Sequence, residues 1–580
     1  MESSTASSLS GAHLDSELEG DARLELKRKT SQAIDEGHDA DIPSSKGYIL
    51  SEEDELKRLQ SIADKRRKSE SARRSNTNVD RDVEKGDLEG ANVSDGNHAS
   101  DGDEPDENVV WWDGPDDPEN PYNWPLWRKL MNCGFISAMT FISPLASSIF
   151  APGVPQVVAE FHSTSLEIAT FVVSVYVLGF AAGPVVIAPL SEIYGRVIIY
   201  HLCNVGFVAF AAGCALAPSL NSLIAFRFLA GVFGSAPLTN GAGTIADMIS
   251  QERRGLAMAM YSVGPLLGPI IGPVVGGFLA DAKGWRWTFW LLAIAAGFLA
   301  IVMLFTLKES YAPVVLQRKT ERLRKATGNP LLRSKLDIGL SPKDYFKRGI
   351  IRPVKMFVRS PIVVIMALYT AVTYGYLYLM FTTMTEVFTE SYGFTTSTVG
   401  LAFLGLGVGS LCGIGIFSAT SDRYIQRKAA EADRAAEATG AAKSGMKPEY
   451  RLPLLPLGAA AIPAGLFIYG WTAEYRVHWI APIIGTAVVG AGNLIIFMAI
   501  QTYLVDAYTV YAASALATNT IVRSIAGAVL PLAGLKMYAT LGLGWGNSLL
   551  GFIAVALVPV SLGMIKYGEH LRTRFPVRNI

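Results

Sequence analysis

The chain is short of charge and of chemically versatile side chains. Only 18% of its 580 residues are Asp, Glu, Lys or Arg, against roughly 25% in soluble domains. Lys plus Arg equal Asp plus Glu at 51 each, and a chain without net charge offers nucleic acid no electrostatic footprint. The four cysteines, Cys133, Cys203, Cys214 and Cys412, all fall inside apolar stretches and form no CxxC pair. They read as small hydrophobes rather than disulfides or metal ligands. The seven histidines are scattered without ligand spacing, and no Walker-type phosphate loop is present. A membrane-embedded enzyme and an ATP-driven pump are therefore both disfavoured, and no cofactor or metal is expected. The N-terminal residues are polar, with no apolar core of a signal peptide, so insertion by the first true span is expected.

What the chain has instead is hydrophobic length. Half of its residues are hydrophobic and its mean hydropathy is +0.29. Twelve apolar stretches, each long enough to cross a hydrocarbon core about 30 Å thick, lie near 130–150, 166–190, 197–217, 221–246, 255–279 and 286–307, then 360–385, 396–418, 452–472, 479–503, 511–535 and 545–567. Before them, residues 1–110 are rich in Ser, Asp, Glu, Lys and Arg, a composition that cannot bury enough surface to fold. This predicts an all-α membrane protein with a disordered N-terminal tail. It is divided as tail 1–110, a six-helix half 111–307, a polar linker loop 308–359, a second six-helix half 360–567 and a short basic tail 568–580. In the first tail, Arg66-Arg67-Lys68-Ser69 and Arg73-Arg74-Ser75 place basic residues before a serine and make kinases candidate partners.

Charge in the loops sets the expected orientation. The linker 308–359 holds 14 Lys and Arg against 4 acids, and 419–451 adds seven more basic residues. The opposite loops hold Lys283, Arg286 and Arg476. The positive-inside rule then puts both termini in the cytoplasm. The two halves also echo each other. Gly179, Gly183 and Ser191-Glu192 follow the second span as Gly409, Gly413 and Ser421-Asp422 follow the eighth, as expected of a duplicated half.

Several motifs carry more. Span 4 buries Arg227 within an apolar helix, and a charge at membrane depth is by default functional. Span 5 reads Gly264-Pro265-Leu-Leu-Gly268-Pro269-Ile-Ile-Gly272-Pro273-Val-Val-Gly276-Gly277. Its four-residue spacing stacks kink-forming and close-contact residues near one face. Arg523 sits midway along span 11. Tyr374 and Tyr378 share a face of span 7, and Asn493, Phe497 and Gln501 share one of span 10. With Asn240 on span 4, these make an aromatic and amide wall suited to bulky amphipathic substrates. No carboxylate lies deep in a span, so the residue carrying a coupled proton is not identifiable from sequence.

Together these motifs resemble the major facilitator superfamily, and within it the twelve-span drug:proton antiporters of fungi. The resemblance covers roughly 111–570. It includes the lead-in Trp112–Trp124, Tyr311-Ala-Pro313, Gln501-Thr-Tyr-Leu-Val-Asp506 and Gly544-Trp-Gly-Asn547. The loop Ala188-Pro-Leu-Ser-Glu192-Ile-Tyr-Gly195-Arg196-Val197 resembles the superfamily's signature loop. It departs from the pattern at Ala188, Glu192 and Val197. The resemblance implies a gate of Glu192 and Arg196 with Asp247, a role for Arg227 in proton coupling, and an antiporter signature on span 5. It further implies a functional monomer working by alternating access, which expels hydrophobic or amphipathic compounds across the plasma membrane in exchange for protons. A receptor signalling through the tail and a polyamine exporter are the alternatives. The second would need acids in the cavity.

Overall fold

In the computed structural model, residues 108–575 are described, apart from 115, 164, 250–254, 338, 340, 440–446 and 509–510. The tail expected over 1–110 therefore lies outside them except for its last three residues.

Eleven described stretches are long and apolar enough to cross a membrane, beginning with Leu126–Glu160 and ending with Ala512–Arg574. The last is 63 residues long. At 1.5 Å per residue it would extend about 95 Å, three times a bilayer core. Gly542, with φ +75° and ψ 171°, divides it into two helices, which makes twelve candidate spans among the described residues. Only glycine takes this φ without penalty. The Glu474 carboxylate, at the end of span 9, accepts hydrogen bonds from the N–H groups of Leu543 (2.7 Å) and Gly544 (3.1 Å) and caps the new helix.

The twelve spans pair in a repeated pattern. In the first half, span 1 (Leu126–Ser148) packs on span 5 (Gly255–Lys283), and span 2 (Leu166–Tyr194) on span 4. Span 4 comprises Leu220–Gly234 and Ala236–Met248. Span 3 (Arg196–Ala215) packs on span 6 (Arg286–Thr306). Add six to every number and the second half follows. Span 7 (Pro361–Tyr392) packs on span 11 (Ala512–Val529 and beyond), and span 8 (Thr396–Thr439) on span 10 (Ile480–Tyr508). Span 9 (Leu455–Glu474) packs on span 12, the part of Gly534–Arg574 beyond Gly542. The halves meet where span 2 runs beside span 11 and span 5 beside span 8. These two seams exchange under the same plus-six operation, as a two-fold relation between repeats requires.

The linker expected as a loop is largely helical. Ala312–Thr327 and Pro342–Arg359 are helices on the face of the bundle where span 1 begins, called here the linker face. The second helix packs under spans 2 and 11, where a β-carbon at Gly349 would collide with the Pro189 ring. Ser341 caps it by accepting from the Asp344 N–H. Span 8 also runs on to Thr439, well past its expected end near 418. Its extension is rich in Ala, Glu, Lys and Arg, all good helix formers.

The residues just before span 1 form a strap on this linker. Val109–Val110 pair in parallel with Arg333–Ser334. Asp117, only 6% exposed, binds Lys319 at 3.1 Å, and Lys319 also pairs with Asp113 at 2.7 Å. Burial by itself would push the Asp117 carboxyl up. The N–H groups of Asp113 and Glu119 and the Lys319 ammonium outweigh it and hold the group below its usual value. Burial works against Lys319 in turn, and the two aspartates more than offset it, so its ammonium is held above the usual range.

Candidate functional site

The signature loop turns on Gly195, whose φ of +99° ends span 2 and starts span 3. The sharp turn places Arg196 beneath the end of span 4. Its Nε donates to Asp247 at 3.3 Å, and one terminal nitrogen donates to Ser191 Oγ at 2.7 Å. Its guanidinium also lies 4.7 Å from the Tyr311 ring centre. Ser191 Oγ is 3.0 Å from Asn240 Oδ1. Asn240 thus belongs to this cluster, although the sequence grouped it with the substrate wall. Glu192 is exposed and sits within electrostatic reach of Arg196, Arg348 and Arg352 rather than in the close pair.

Sequence reasoning missed Glu309 here. Its carboxylate accepts from the N–H groups of Arg196 (3.0 Å), Val197 (3.2 Å) and Tyr311 (3.0 Å). It thereby caps span 3, where an acid also meets the positive end of the helix dipole. It lies two residues before the Tyr311-Ala-Pro313 motif, the one sequence signal that could have drawn attention to it.

Arg227 does not snorkel to a membrane face. It is 1% exposed. Its guanidinium donates to the carbonyls of Val172 (2.6 Å), Val173 (3.1 Å), Ser147 (3.3 Å) and Ala146 (3.5 Å). Three rings surround it, Phe150, Tyr176 and Phe289, with centres 5.2, 5.3 and 5.5 Å away. Among the described residues no carboxylate pairs with it. One arginine therefore ties spans 1, 2 and 4 together through backbone oxygens, with cation–π contacts in place of a counter-charge.

The glycines of span 5 face span 1. A β-carbon on Gly264 would stand 2.8 Å from the Phe141 nitrogen, and one on Gly268 equally close to the Leu145 nitrogen. At Gly272 it would strike Ser148 Oγ, and at Gly276 the Ile149 carbonyl. Gly277 points the other way, into the seam between the halves, where its β-carbon would be 2.7 Å from Thr396 O on span 8. Gly400 in turn would meet the Pro273 carbonyl at 2.6 Å. The prolines matter to the same contacts. Pro273 lacks the N–H that would bond the Pro269 carbonyl one turn earlier, and that carbonyl accepts instead from Ser148 Oγ at 3.1 Å. Pro269 leaves the carbonyl of Pro265 without its helical donor in the same way.

The wall residues converge in the second half. The Tyr374 and Tyr378 rings lie 5.0 Å apart. Arg523 of span 11 lies between Tyr374 and Phe497, its guanidinium carbon 4.9 Å from each ring centre. Asn493 and Gln501 are one turn either side of Phe497 on span 10. Tyr378 reaches across to the first half and donates to Ser147 Oγ at 3.0 Å. Ser147 is the residue whose carbonyl binds Arg227, so the two arginine clusters are joined through one serine. Tyr376 instead donates to the Leu550 carbonyl of span 12 and points away from this group. Cys133, Cys203 and Cys214 are buried, whereas Cys412 is exposed on span 8.

Two six-helix repeats around a centre where tyrosines, arginines and amides meet define a polytopic membrane transporter of the two-half type. Its relatives agree. A family model described as Major Facilitator Superfamily matches residues 136–531. The chain is 58% identical over 468 residues to the MFS-type transporter tndD of Aspergillus flavipes, covering 80% of this chain and 86% of that one. It is 57% identical over 469 residues to the MFS-type transporter penM of Penicillium rubens, covering 81% and 90%. It is 51% identical over 477 residues to the efflux pump radE of Floropilus chiversii, covering 82% and 87%. The crystal structure of a D-xylose–proton symporter superposes with a TM-score of 0.56 at 17% identity, covering 74% of this chain and 96% of that one. That likeness concerns the fold. The chain belongs to the major facilitator superfamily and is a transporter, not an enzyme.

Proposed function

We propose that this protein is a proton-coupled exporter of hydrophobic or amphipathic compounds, either xenobiotics or secondary metabolites, acting at the plasma membrane by alternating access. The observation that carries the reading is the span 5 seam. The glycines that resemble the antiporter signature sit where span 5 meets span 1 and span 8, with no room for a side chain at Gly276 or Gly277. Gly264 to Gly276 hold span 5 on span 1 within one half, and Gly277 with Gly400 leaves bare backbone between the halves, where they can close tightly and part again. The contacts Tyr378–Ser147 and Thr385–Ala151 place further closure on the side away from the linker. The similarity to an efflux pump supports outward transport.

The orientation follows from charge. Both linker helices and the extension of span 8 carry their basic residues on the linker face, which the positive-inside rule assigns to the cytoplasm together with both termini. Arg196, Asp247 and Glu192 form the gate there. Arg227 and Arg523 mark the centre, and the chain works as a monomer. The test is efflux of a compound panel from cells lacking their own exporters, with and without a protonophore. Export that stops when the gradient collapses is expected. Export that continues would overturn proton coupling, and the absence of export across the panel would overturn the efflux reading.

A further inference from the structure

We infer that Arg523 heads a binding site for an amphipathic organic anion, a flat apolar body bearing a carboxylate or an ionised enol. The cargo rests on the efflux reading, whereas the site itself does not.

Arg523 is the second deep arginine, and its surroundings differ from those of Arg227. The Tyr374 and Phe497 ring centres each lie 4.9 Å from its guanidinium carbon. Its Nε is buried, yet among the described residues no hydrogen bond or ion pair reaches the side chain. Neighbouring polar groups are in the same position. Asn519, one turn away on span 11, is 0% exposed, with neither side-chain atom partnered, and the Gln501 carbonyl oxygen is likewise buried without a partner. Spans 10 and 11 run antiparallel, and the Phe497–Arg523 contact fixes their register. Gln501 and Asn519 then lie at one level, both a turn toward the linker face. The three polar groups form a patch, not scattered accidents.

A half-buried charge whose Nε is buried without a partner, beside buried amides also without partners, is costly in a membrane protein. Among the described residues no acid pairs with Arg523 to meet this cost. On these spans the nearest carboxylates are Asp506, which pairs with Arg451 at 2.9 Å, and Glu386, about 18 Å along span 7 from Tyr374. A ligand that brings the anion gains most. The planar guanidinium fork, with two rings beside it, matches a carboxylate or enolate through parallel N–H bonds. The amide of Asn519 can add a donor and Gln501 an acceptor for a hydroxyl. The rings that hold Arg523, together with Tyr378, offer the ligand's body a flat apolar surface.

The experiment uses the purified full-length protein in lipid nanodiscs with two dyes of one ring system: fluorescein, which carries a carboxylate, and rhodamine 123, which is cationic. Equilibrium binding is read by fluorescence polarisation. The wild type is expected to bind fluorescein at least tenfold more tightly than rhodamine 123. Arg523→Gln should weaken fluorescein at least tenfold and change rhodamine 123 less than twofold. Arg523→Lys keeps the charge without the fork and should fall between, and it serves alone if the Gln variant does not fold. Equal loss for both dyes, preference for rhodamine 123, or no saturable binding of fluorescein would each overturn the site. Efflux of the same dyes separates the two ideas. Fluorescein bound but not exported counts against the efflux reading and leaves the site standing, whereas rhodamine 123 exported in preference to fluorescein counts against the site and leaves the efflux reading.

Discussion

Two arginines lie deep in this bundle, and they are solved in opposite ways. Arg227 is enclosed by four backbone carbonyls and three aromatic rings. Arg523 is held between two rings and bonded to nothing in the protein among the described residues. Depth along a span alone would give both the same label, that of a charged functional residue, although Arg227 is fully buried and Arg523 half-buried. Their partners distinguish them. A buried cation with four of its five donors bonded rigidifies the helices it joins, while one whose bonds are unmade has binding capacity to spare. The first half thus spends its arginine on structure at the point where spans 1, 2 and 4 meet, and the second keeps its own for a ligand.

The largest effect that could break this contrast is on Arg227. In Arg227→Ala, the Ala146 and Ser147 carbonyls in the last turn of span 1 lose a donor that their helix does not replace, and a cavity opens among three rings. Each unsatisfied buried group costs about 1–3 kcal/mol, so a loss of at least ~3 kcal/mol is expected. Fluorescence-detected size exclusion should show little monodisperse protein. A variant that folds with the wild-type melting temperature would mean that Arg227 is not structural and that the contrast fails. Gly276→Val comes next. Its new methyl groups meet the Ile149 carbonyl in the tightest contact of span 5, and overpacking of this kind costs about 1–3 kcal/mol. Gly415→Val is the matched control, because nothing lies within 4 Å of the position. A lowered melting temperature in the first and an unchanged one in the second are expected. Equal shifts would remove the steric account of the motif.

These residues also show what was legible in the sequence. The spans were, because an apolar run long enough to cross a bilayer needs no tertiary information. So was the repeat, since Gly179 and Gly409 both pack against backbone, at Gly231 and Ala487. The linker was read as a loop, and its helices came as a correction. Lys319 and Thr320 are buried against the strap in a segment whose composition looks solvated. Glu309 was invisible for a related reason. It acts on Arg196 and Val197 through backbone N–H groups more than a hundred residues away, and backbone donors leave no mark in a sequence. Asn240 was assigned to the wrong neighbourhood because its span and its polarity were readable, but not its partner Ser191.

The strap sharpens the comparison from outside the membrane, where a charge pair is solvated on one side. Asp117 is held below its usual range, so its contribution is present above about pH 4 and is lost as pH falls through the lowered value. Lys319 is held above its usual range, so its contribution is complete below pH 10.5 and is lost as pH rises through the raised value. Hydrogen-exchange protection of Arg333 and Lys335, whose N–H groups donate to the Asn108 and Val110 carbonyls across the strap, should therefore be level from pH 5 to 9 once corrected for intrinsic rates. Asp117→Asn should lower it by about 1.5–3 kcal/mol, the scale of a hydrogen bond to a charged group. A slope between pH 5 and 9 would show that some other titrating group holds the strap.

The smallest expected effect is the most telling. Arg523→Gln should leave the melting temperature of the ligand-free protein within the span of about ±0.5 kcal/mol that marks substitutions away from structural contacts. Partners decide the outcome again. No hydrogen bond of the protein ends on Arg523 among the described residues, so none is broken. Removing the charge ends its attraction to the two rings, and relief from burying an unpaired cation offsets that. The neutral amide, two atoms shorter, keeps the aliphatic stem and introduces no charge to bury. Differential scanning fluorimetry without ligand measures this directly. A destabilisation as large as that of Arg227→Ala would mean that Arg523 holds spans 7, 10 and 11 together, and the two arginines would then be alike after all.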